Sequence, residues 1–370
     1  MTNKQLLHTP EGVRDIYGLE YKRKLAIQKS IRKSIAGFGY EAIQTPTFEY
    51  FDVFSKEVGT TPSKDLYKLI DKDGQTLVLR PDFTPSIARC AAKYFMDETK
   101  PVRFTYEGNT FVNVSHLQGK LKETTQMGAE LILDDSVEAD AELLAMVVSA
   151  LKATGLEKFQ ISVGHMDYFK GLCEEAGLSL EAENSLREAI SIKNMFAAKD
   201  ILDALDMKKD ARKALLEVAD LFGSLQDLSY AKSLANNPRS VAAIERLEQL
   251  KTCLEYYGIA QYVSFDLGML SQYHYYTGIV FKAFTYGIGD AIVKGGRYDH
   301  LLEFFGKKAP AVGFMVIVDD ILEALDHQKI PVKVEESAIT ITYTSETFAK
   351  ALAEATTLRQ AGKAVILTKE

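Results

Sequence analysis

Alternation of apolar and polar positions divides the chain into a mixed series of helices and strands. Residues 19–38 carry apolar side chains at Leu25, Ile27, Ile31 and Ile35, a helical spacing, with Gly37 near the expected end. Residues 40–45 read as extended, and Pro46 favours that conformation in the residue before it. Residues 66–70 and 76–79 form a hairpin pattern around a 71–74 turn, and residues 83–95 a helix. Two strand patterns, 102–107 and 125–133, flank a polar stretch containing Ser115, Gln118 and Gly119. A helix over 136–153 opens on Ser136, a residue suited to cap it. From about 167 to 257 the pattern is helical almost throughout, rich in Lys, Glu and Ala, as in a self-contained insertion. Strand patterns return at 262–267, 279–285 and 291–293, followed by a helix at 318–325. A linker at 331–336 leads to a strand (338–343), a helix (345–361) and a strand (364–367), too small to bury a core alone. Before residue 330 strands and helices mix without regular alternation, which predicts an α+β fold on a largely antiparallel sheet.

At 370 residues the chain has room for two domains, or for one large domain with an insertion. Its 46% hydrophobic and 26% charged content is that of an ordinary soluble globular protein. A net charge of −7 carries no broad basic footprint for nucleic acid, although a small basic groove is compatible with it. Cys90, Cys173 and Cys253 lie far apart without CxxC or zinc spacing, which favours a reduced, cytoplasmic protein. The first ten residues lack the apolar stretch of a signal peptide, and no apolar run approaches the ~18 residues of a membrane span.

Four segments carry candidate chemistry. On a strand over 125–133, Gln126, Gly128 and Glu130 share one face. Gly128 there either leaves a gap for a small ligand bearing an ammonium group, or marks a bulge on an exposed strand face. The segment Leu79-Arg80-Pro81-Asp82-Phe83-Thr84 sets a cation, an anion and a hydroxyl where a strand hands over to a helix. Asp82 either caps that helix or lines a pocket. Tyr273, Tyr275 and Tyr276 surround His274, as an aromatic-walled pocket or as part of a half-buried sheet. Gly295-Gly296-Arg297-Tyr298-Asp299 follows a strand, and its double glycine admits either a ligand or a plain turn. No phosphate loop, dinucleotide fingerprint, HExxH pair or nucleophile elbow is present, and no cofactor or metal is expected.

In this order the segments resemble the catalytic core of histidyl-tRNA synthetase, a class II aminoacyl-tRNA synthetase. The match begins at Thr9-Pro10-Glu11-Gly12-Val13-Arg14-Asp15 and continues at Thr45-Pro46-Thr47-Phe48-Glu49, which is similar to motif 1. The segment from Leu79 to Thr84, the run from Arg103 to Leu131 (motif 2) and Tyr275-Tyr276-Thr277-Gly278 (the histidine-specific segment) follow. The stretch from Gly295 through Ala311-Val312-Gly313-Phe314 resembles motif 3. The resemblance implies a six-stranded antiparallel sheet flanked by helices, dimerisation through motif 1 and a histidine pocket. It puts Asp82, Thr84, Gln126, Glu130, Tyr275 and Tyr276 on the histidine-binding positions, with Asp82 replacing the usual glutamate. The expected organisation is a core over residues 1–328, including the helical insertion at about 167–258, and a small fragment over 335–370.

The same resemblance marks what the chain lacks. Val112 stands where motif 2 places its phosphate-holding arginine, Val114 where it places an adenine-recognising glutamate, and Asp320 on the motif 3 arginine. The arginine of the histidine-specific segment falls near Ser271. Guanidinium holds phosphate through a fixed bidentate fork, so three such losses, one with reversed charge, leave adenylation negligible. The anticodon-binding domain is reduced to the terminal fragment. A synthetase core with an amino-acid pocket and no adenylation arginines resembles the regulatory subunits of ATP phosphoribosyltransferase, in which Arg80-Pro81-Asp82-Phe83-Thr84 is a familiar string. That resemblance implies a non-catalytic protein that activates a short-form catalytic subunit and mediates histidine feedback in a hetero-octamer. A divergent synthetase or another stand-alone paralogue is the alternative; neither a membrane nor tRNA is expected as a partner.

Overall fold

Two ten-residue strands on either side of the polar stretch pair along their whole length and form the centre of the fold. The computed structural model describes residues 7–54, 61–114, 120–223, 225–270, 275–334 and 338–370. In chain order the elements are α1 (Gly18–Ala36), β1 (Glu41–Ala42), β2 (Phe48–Tyr50), β3 (Lys68–Ile70), β4 (Thr76–Leu79), α2 (Thr84–Tyr94), β5 (Val102–Phe111), β6 (Glu123–Ile132), α3 (Val137–Ala153) and β7 (Phe159–His165). The helical block follows as α4 (Met166–Glu175), α5 (Leu180–Ser191), α6 (Met195–Asp203), α7 (Lys209–Glu217), β8 (Phe222–Gly223), α8 (Leu225–Leu234) and α9 (Pro238–Tyr256). Then come β9 (Val263–Asp266), β10 (Ile279–Thr285), β11 (Val293–Arg297), β12 (Ala311–Ile317), α10 (Val318–His327), β13 (Ile339–Tyr343), α11 (Phe348–Gln360) and β14 (Val365–Lys369). Among the described residues no helix is long and apolar enough to cross a membrane.

Six strands, in the order β5-β6-β12-β11-β10-β7, form the antiparallel body that the synthetase resemblance implies. The described sheet is larger, with nine strands. β1 joins one edge parallel to β5, and β9 joins the other parallel to β7, with β8 beyond it. Neither β7 nor β12 was anticipated as a strand from the pattern, for different reasons. AVGFMVI is an apolar run buried between two cores, without polar alternation, whereas FQISVGH does alternate Phe159, Ile161 and Val163 with Gln160, Ser162 and Gly164, and its period-2 pattern was overlooked. The hairpin of β3 and β4 forms as expected, and β2 pairs with β4 on its other side.

One face of the sheet packs on α1, α3 and the helical block through residues such as Ile31, Leu144, Phe169 and Ile244. The other face carries a smaller cluster around Phe83, Tyr106, Tyr276, Tyr298 and Leu301. Ser136 caps α3 as expected: the Ala139 N–H donates to its Oγ at 3.1 Å.

A buried charge cluster ties the sheet to the helices on the first of these faces. Asp140, on α3, is fully buried; Arg297 of β11 donates through Nε and Nη2 to Oδ1 at 3.0 and 2.6 Å. Arg246 of α9 donates to Oδ2 at 2.8 and 2.6 Å. Sheet, helix and helical block therefore meet on one carboxylate, each guanidinium giving two N–H groups to one of its oxygens. Replacing Asp140 by Ala strands two cations, one of them buried, and is expected to cost about 3–5 kcal/mol in denaturant unfolding. A loss under about 1 kcal/mol would show that the cluster relaxes without it.

Candidate functional site

The site is built on the face of β6 that carries Gln126 and Glu130. Glu130 is 1% exposed; its Oε1 accepts from the Thr84 hydroxyl at 2.9 Å and its Oε2 from the Tyr298 hydroxyl. Glycines make room for it. A Cβ on Gly313, the β12 residue opposite Glu130, would lie 1.5 Å from Glu130 Oε2.

Thr84 is presented by the turn between β4 and α2. Arg80 locks that turn from within: buried, it donates through Nε to Asn109 O at 2.8 Å and through Nη1 to Thr45 O at 3.0 Å. Its guanidinium lies 4.0 Å from the Phe83 ring centre. Arg80 is thus a structural clamp, and the turn it holds directs Asp82 into the cavity. Asp82 does not cap α2, whose N-cap residue, Phe83, makes no side-chain capping bond. Both Asp82 carboxylate oxygens are shielded from solvent, and neither has a well-formed hydrogen-bond partner.

Burial without a cation sets the electrostatics. It pushes Asp82 up to about 7, offset only in part by the Thr84 backbone N–H. Burial likewise pushes Glu130 up to about 8, opposed by the hydroxyls of Tyr298 and Thr84 and reinforced by the neighbouring charge of Asp82. Gln126 Oε1 is also buried and unpartnered. Tyr275 and Tyr276 close the pocket with ring centres 4.5 Å apart, and Tyr275 meets Tyr298 edge-on at 6.0 Å. Gly296 is no turn residue: it lies within β11, where an added Cβ would come 2.6 Å from the Tyr276 ring.

Gly128 is neither of the two things its position suggested: it is buried, the ladder runs through it without a bulge, and it leaves no gap for a ligand. The hydroxyl of Tyr106, opposite it on β5, occupies that space and donates to Phe314 O at 3.3 Å. The gap is already filled by the protein.

The cavity is about 1030 Å³, lined at one end by Asp82, Thr84, Gln126, Tyr275 and Tyr276. At the other end lie Val112, Val114 and Asp320. Burial and the charges of Asp290, Asp319 and Glu323 push Asp320 up to about 6. The lining cations are engaged: Arg14 pairs with Glu20 at 2.5 Å, and Lys120 and Lys294 share Asp290 at 3.2 and 3.4 Å. Ser271, the fourth altered position, lies outside the described residues, as do Ser115, Gln118, Gly119 and His274. Sequence reasoning quoted Tyr298 within the double-glycine segment but missed it as the partner of Glu130, since two residues 168 positions apart meet only through strand register.

A family model of histidyl-tRNA synthetase matches residues 12–321. The ATP phosphoribosyltransferase regulatory subunit of Acetivibrio thermocellus is 40% identical over 97% of this chain and 86% of its own length. The chain belongs to the family of ATP phosphoribosyltransferase regulatory subunits. A Thermoanaerobacter regulatory subunit is 38% identical over 97% of this chain and 94% of its own. A solved ATP phosphoribosyltransferase regulatory subunit/histidyl-tRNA synthetase from Bacillus halodurans matches with a TM-score of 0.90 and 32% identity, covering 98% of this chain and 93% of that one. Histidyl-tRNA synthetase from a Nostoc species matches at a TM-score of 0.82 and 21% identity over 98% and 86% of the chains, a likeness of fold. Regulatory subunits of ATP phosphoribosyltransferase thus share the synthetase architecture seen here.

A carboxylate whose pKa is raised in the fold favours the neutral form, so its contribution to stability declines as pH rises toward that pKa. With Asp82 at about 7 and Glu130 at about 8, the ligand-free chain is expected to lose stability progressively from about pH 5 to 8, the decline levelling off above pH 8. The slope is on the order of 1 kcal/mol per pH unit. In Glu130→Gln the decline in urea midpoint over the same range should be visibly shallower; parallel curves for the two proteins would contradict the assignment.

Proposed function

We propose that this chain is a non-catalytic regulatory subunit that activates a short-form ATP phosphoribosyltransferase and carries its feedback by histidine. The observation behind this reading is the polarity of the cavity. One end has the buried carboxylate of Asp82 in its lining and that of Glu130 directly beneath the lining Thr84 and Tyr298, neither with a bonded cation, which suits an amino acid's ammonium and ring N–H groups. The other end has Val112, Val114 and Asp320, which offer nothing to a phosphate.

Histidine in contact with Asp82, Thr84, Gln126, Glu130, Tyr275 and Tyr276 supplies the positive charge that the buried carboxylates lack. Its effect on the partner is differential binding: histidine favours the quaternary state in which the catalytic subunit works poorly. Tyr298 is the route outward, since the residue before it, Arg297, grips Asp140 and through it meets Arg246 on the helical block. In this reading residues 1–328 act as the core with its insertion, residues 335–370 as a small separate fragment, and the assembly of four regulatory and four catalytic chains works in the cytoplasm.

The homodimer proposed through motif 1 is supported by the outer face of the three-stranded sheet. Phe48 and Tyr50 on β2 and Leu69 on β3 are 55%, 59% and 46% exposed and point the same way as Leu77 and Leu79 between them. Tyr50→Asp is expected to shift the chain toward monomer in light scattering, whereas an unchanged dimer would place the interface elsewhere.

The functional test is phosphoribosyl-ATP formation by the short catalytic subunit, with and without this chain, across a histidine titration. Strong activation that histidine reverses is expected, and Glu130→Ala should keep activation while weakening histidine inhibition at least about tenfold. Absence of activation, together with histidine-dependent ATP–pyrophosphate exchange, would make the chain a divergent synthetase instead.

A further inference from the structure

β13 and β14 stand apart from the large sheet as a parallel pair crossed by α11. The Ile339 N–H donates to Ala364 O at 2.9 Å, and Tyr343 O accepts from the Glu370 N–H at 3.1 Å. Ile339, Ile341 and Tyr343 therefore turn their backbone groups toward β14, and Thr340 and Thr342 turn theirs to the outer side. Both threonines are exposed, and among the described residues no strand pairs with that side of β13. A two-stranded sheet is marginal on its own, and exposed edges are normally guarded by charge or proline. β14 has such guards, with Lys363 shortly before it and Lys369 at its end. β13 has none: residues 338–345 (AITITYTS) contain no charge, proline or glycine and are rich in strand-forming side chains.

We propose that this edge pairs with the same edge of a second copy of the chain, antiparallel about a two-fold axis at Ile341. In that register Thr340 lies opposite the second copy's Thr342, and each such pair exchanges both backbone bonds. On the α11 face Ile341 meets its own counterpart, and Ile339 meets Tyr343, whose ring already packs on Phe348 of α11 with centres 4.9 Å apart. Threonine pairs, an aliphatic pair and aromatic–β-branched pairs are all favourable across strands, and no like charges are opposed. The strand is complementary to itself, as a two-fold contact requires. Four regulatory chains joined through two-fold contacts need two different ones, and the outer face of the three-stranded sheet supplies the other. That link rests on the assembly proposed above, whereas the pairing itself does not. A five-residue edge is the weaker of the two contacts and fills at higher concentration.

The experiment is light scattering of the full chain over a concentration series, with Tyr50→Asp, Thr342→Pro and the double variant. The wild-type chain should pass from dimer to tetramer as concentration rises. Thr342→Pro should remain dimeric, its upper step weakened at least about tenfold. Tyr50→Asp should pass from monomer to dimer, and the double variant should stay monomeric. Proline at position 342 removes only an outward N–H, so the ladder with β14 and the urea midpoint should be retained. Thr342→Lys, which sets a charge on the edge, should act in the same direction. A wild-type chain that stays dimeric throughout, or a Thr342→Pro chain that still reaches the tetramer, overturns the pairing. If Thr342→Pro leaves the mass unchanged and instead abolishes capture of the catalytic subunit, the edge belongs to that partner and the self-pairing fails. Halving of the mass by Thr342→Pro but no change with Tyr50→Asp supports the pairing and overturns the motif 1 contact alone.

Discussion

Two buried carboxylates lie close together in this protein, Asp82 in the cavity lining and Glu130 beneath the lining residues Thr84 and Tyr298, and among the described residues neither is paired with a basic side chain. Glu130 has only hydroxyl donors, from Thr84 and Tyr298, and Asp82 has no well-formed donor at all. Holding them there requires the surrounding structure to be specific. Arg80 must lock the turn before α2, Gly313 must yield its side-chain volume to Glu130, and Gly296 must let Tyr276 close over the floor. Burial then keeps both groups well above the ordinary carboxylate range. A ligand that brings positive charge and N–H donors relieves that penalty, the basis of the proposed histidine sensing.

Contrast between the two ends of the cavity gives the reading its direction. A synthetase fold normally needs cations where phosphate chemistry occurs, and here that end presents Val112, Val114 and an Asp320 crowded by other acids. Asp319 beside it is committed to structure, accepting from Lys24 and from the Thr125 backbone N–H, both at 2.7 Å. The proposed amino-acid end keeps its polar side chains, while Asp319 at the opposite end joins α1, β6 and α10. The proposed outward coupling uses consecutive residues of one strand and the loop that follows it, with Tyr298 facing the pocket and Arg297 gripping the carboxylate that also anchors the helical block.

Much of this arrangement was legible in local patterns. Alternation along β6 placed Gln126 and Glu130 on one face, and the Leu79–Thr84 segment marked the handover from strand to helix that carries Asp82 and Thr84. The α+β class followed from the irregular order of elements. Other features depend on register, which no local pattern carries. Gly128 looked like room for a ligand until Tyr106, its cross-strand neighbour, proved to fill it. Tyr298 finds Glu130 only because β11, β12 and β6 lie side by side. Strand β12 escaped notice because, buried on both faces, it lacks the polar alternation that marks a strand at the surface, whereas the alternation of β7 was present and was overlooked. The two parallel edge strands extend an antiparallel body by pairings that link segments far apart in the chain.

The most direct test of the central claim is the proton balance of histidine binding, measured by calorimetry at pH 7.5 in buffers of different ionisation enthalpy. Buried carboxylates that are partly protonated in the empty pocket must ionise to pair with the ligand's ammonium, so binding is predicted to release a substantial fraction of a proton per histidine. Replacement of both acids, Asp82→Asn with Glu130→Gln, should abolish that release. Binding with proton uptake, or no detectable histidine binding, would contradict the account.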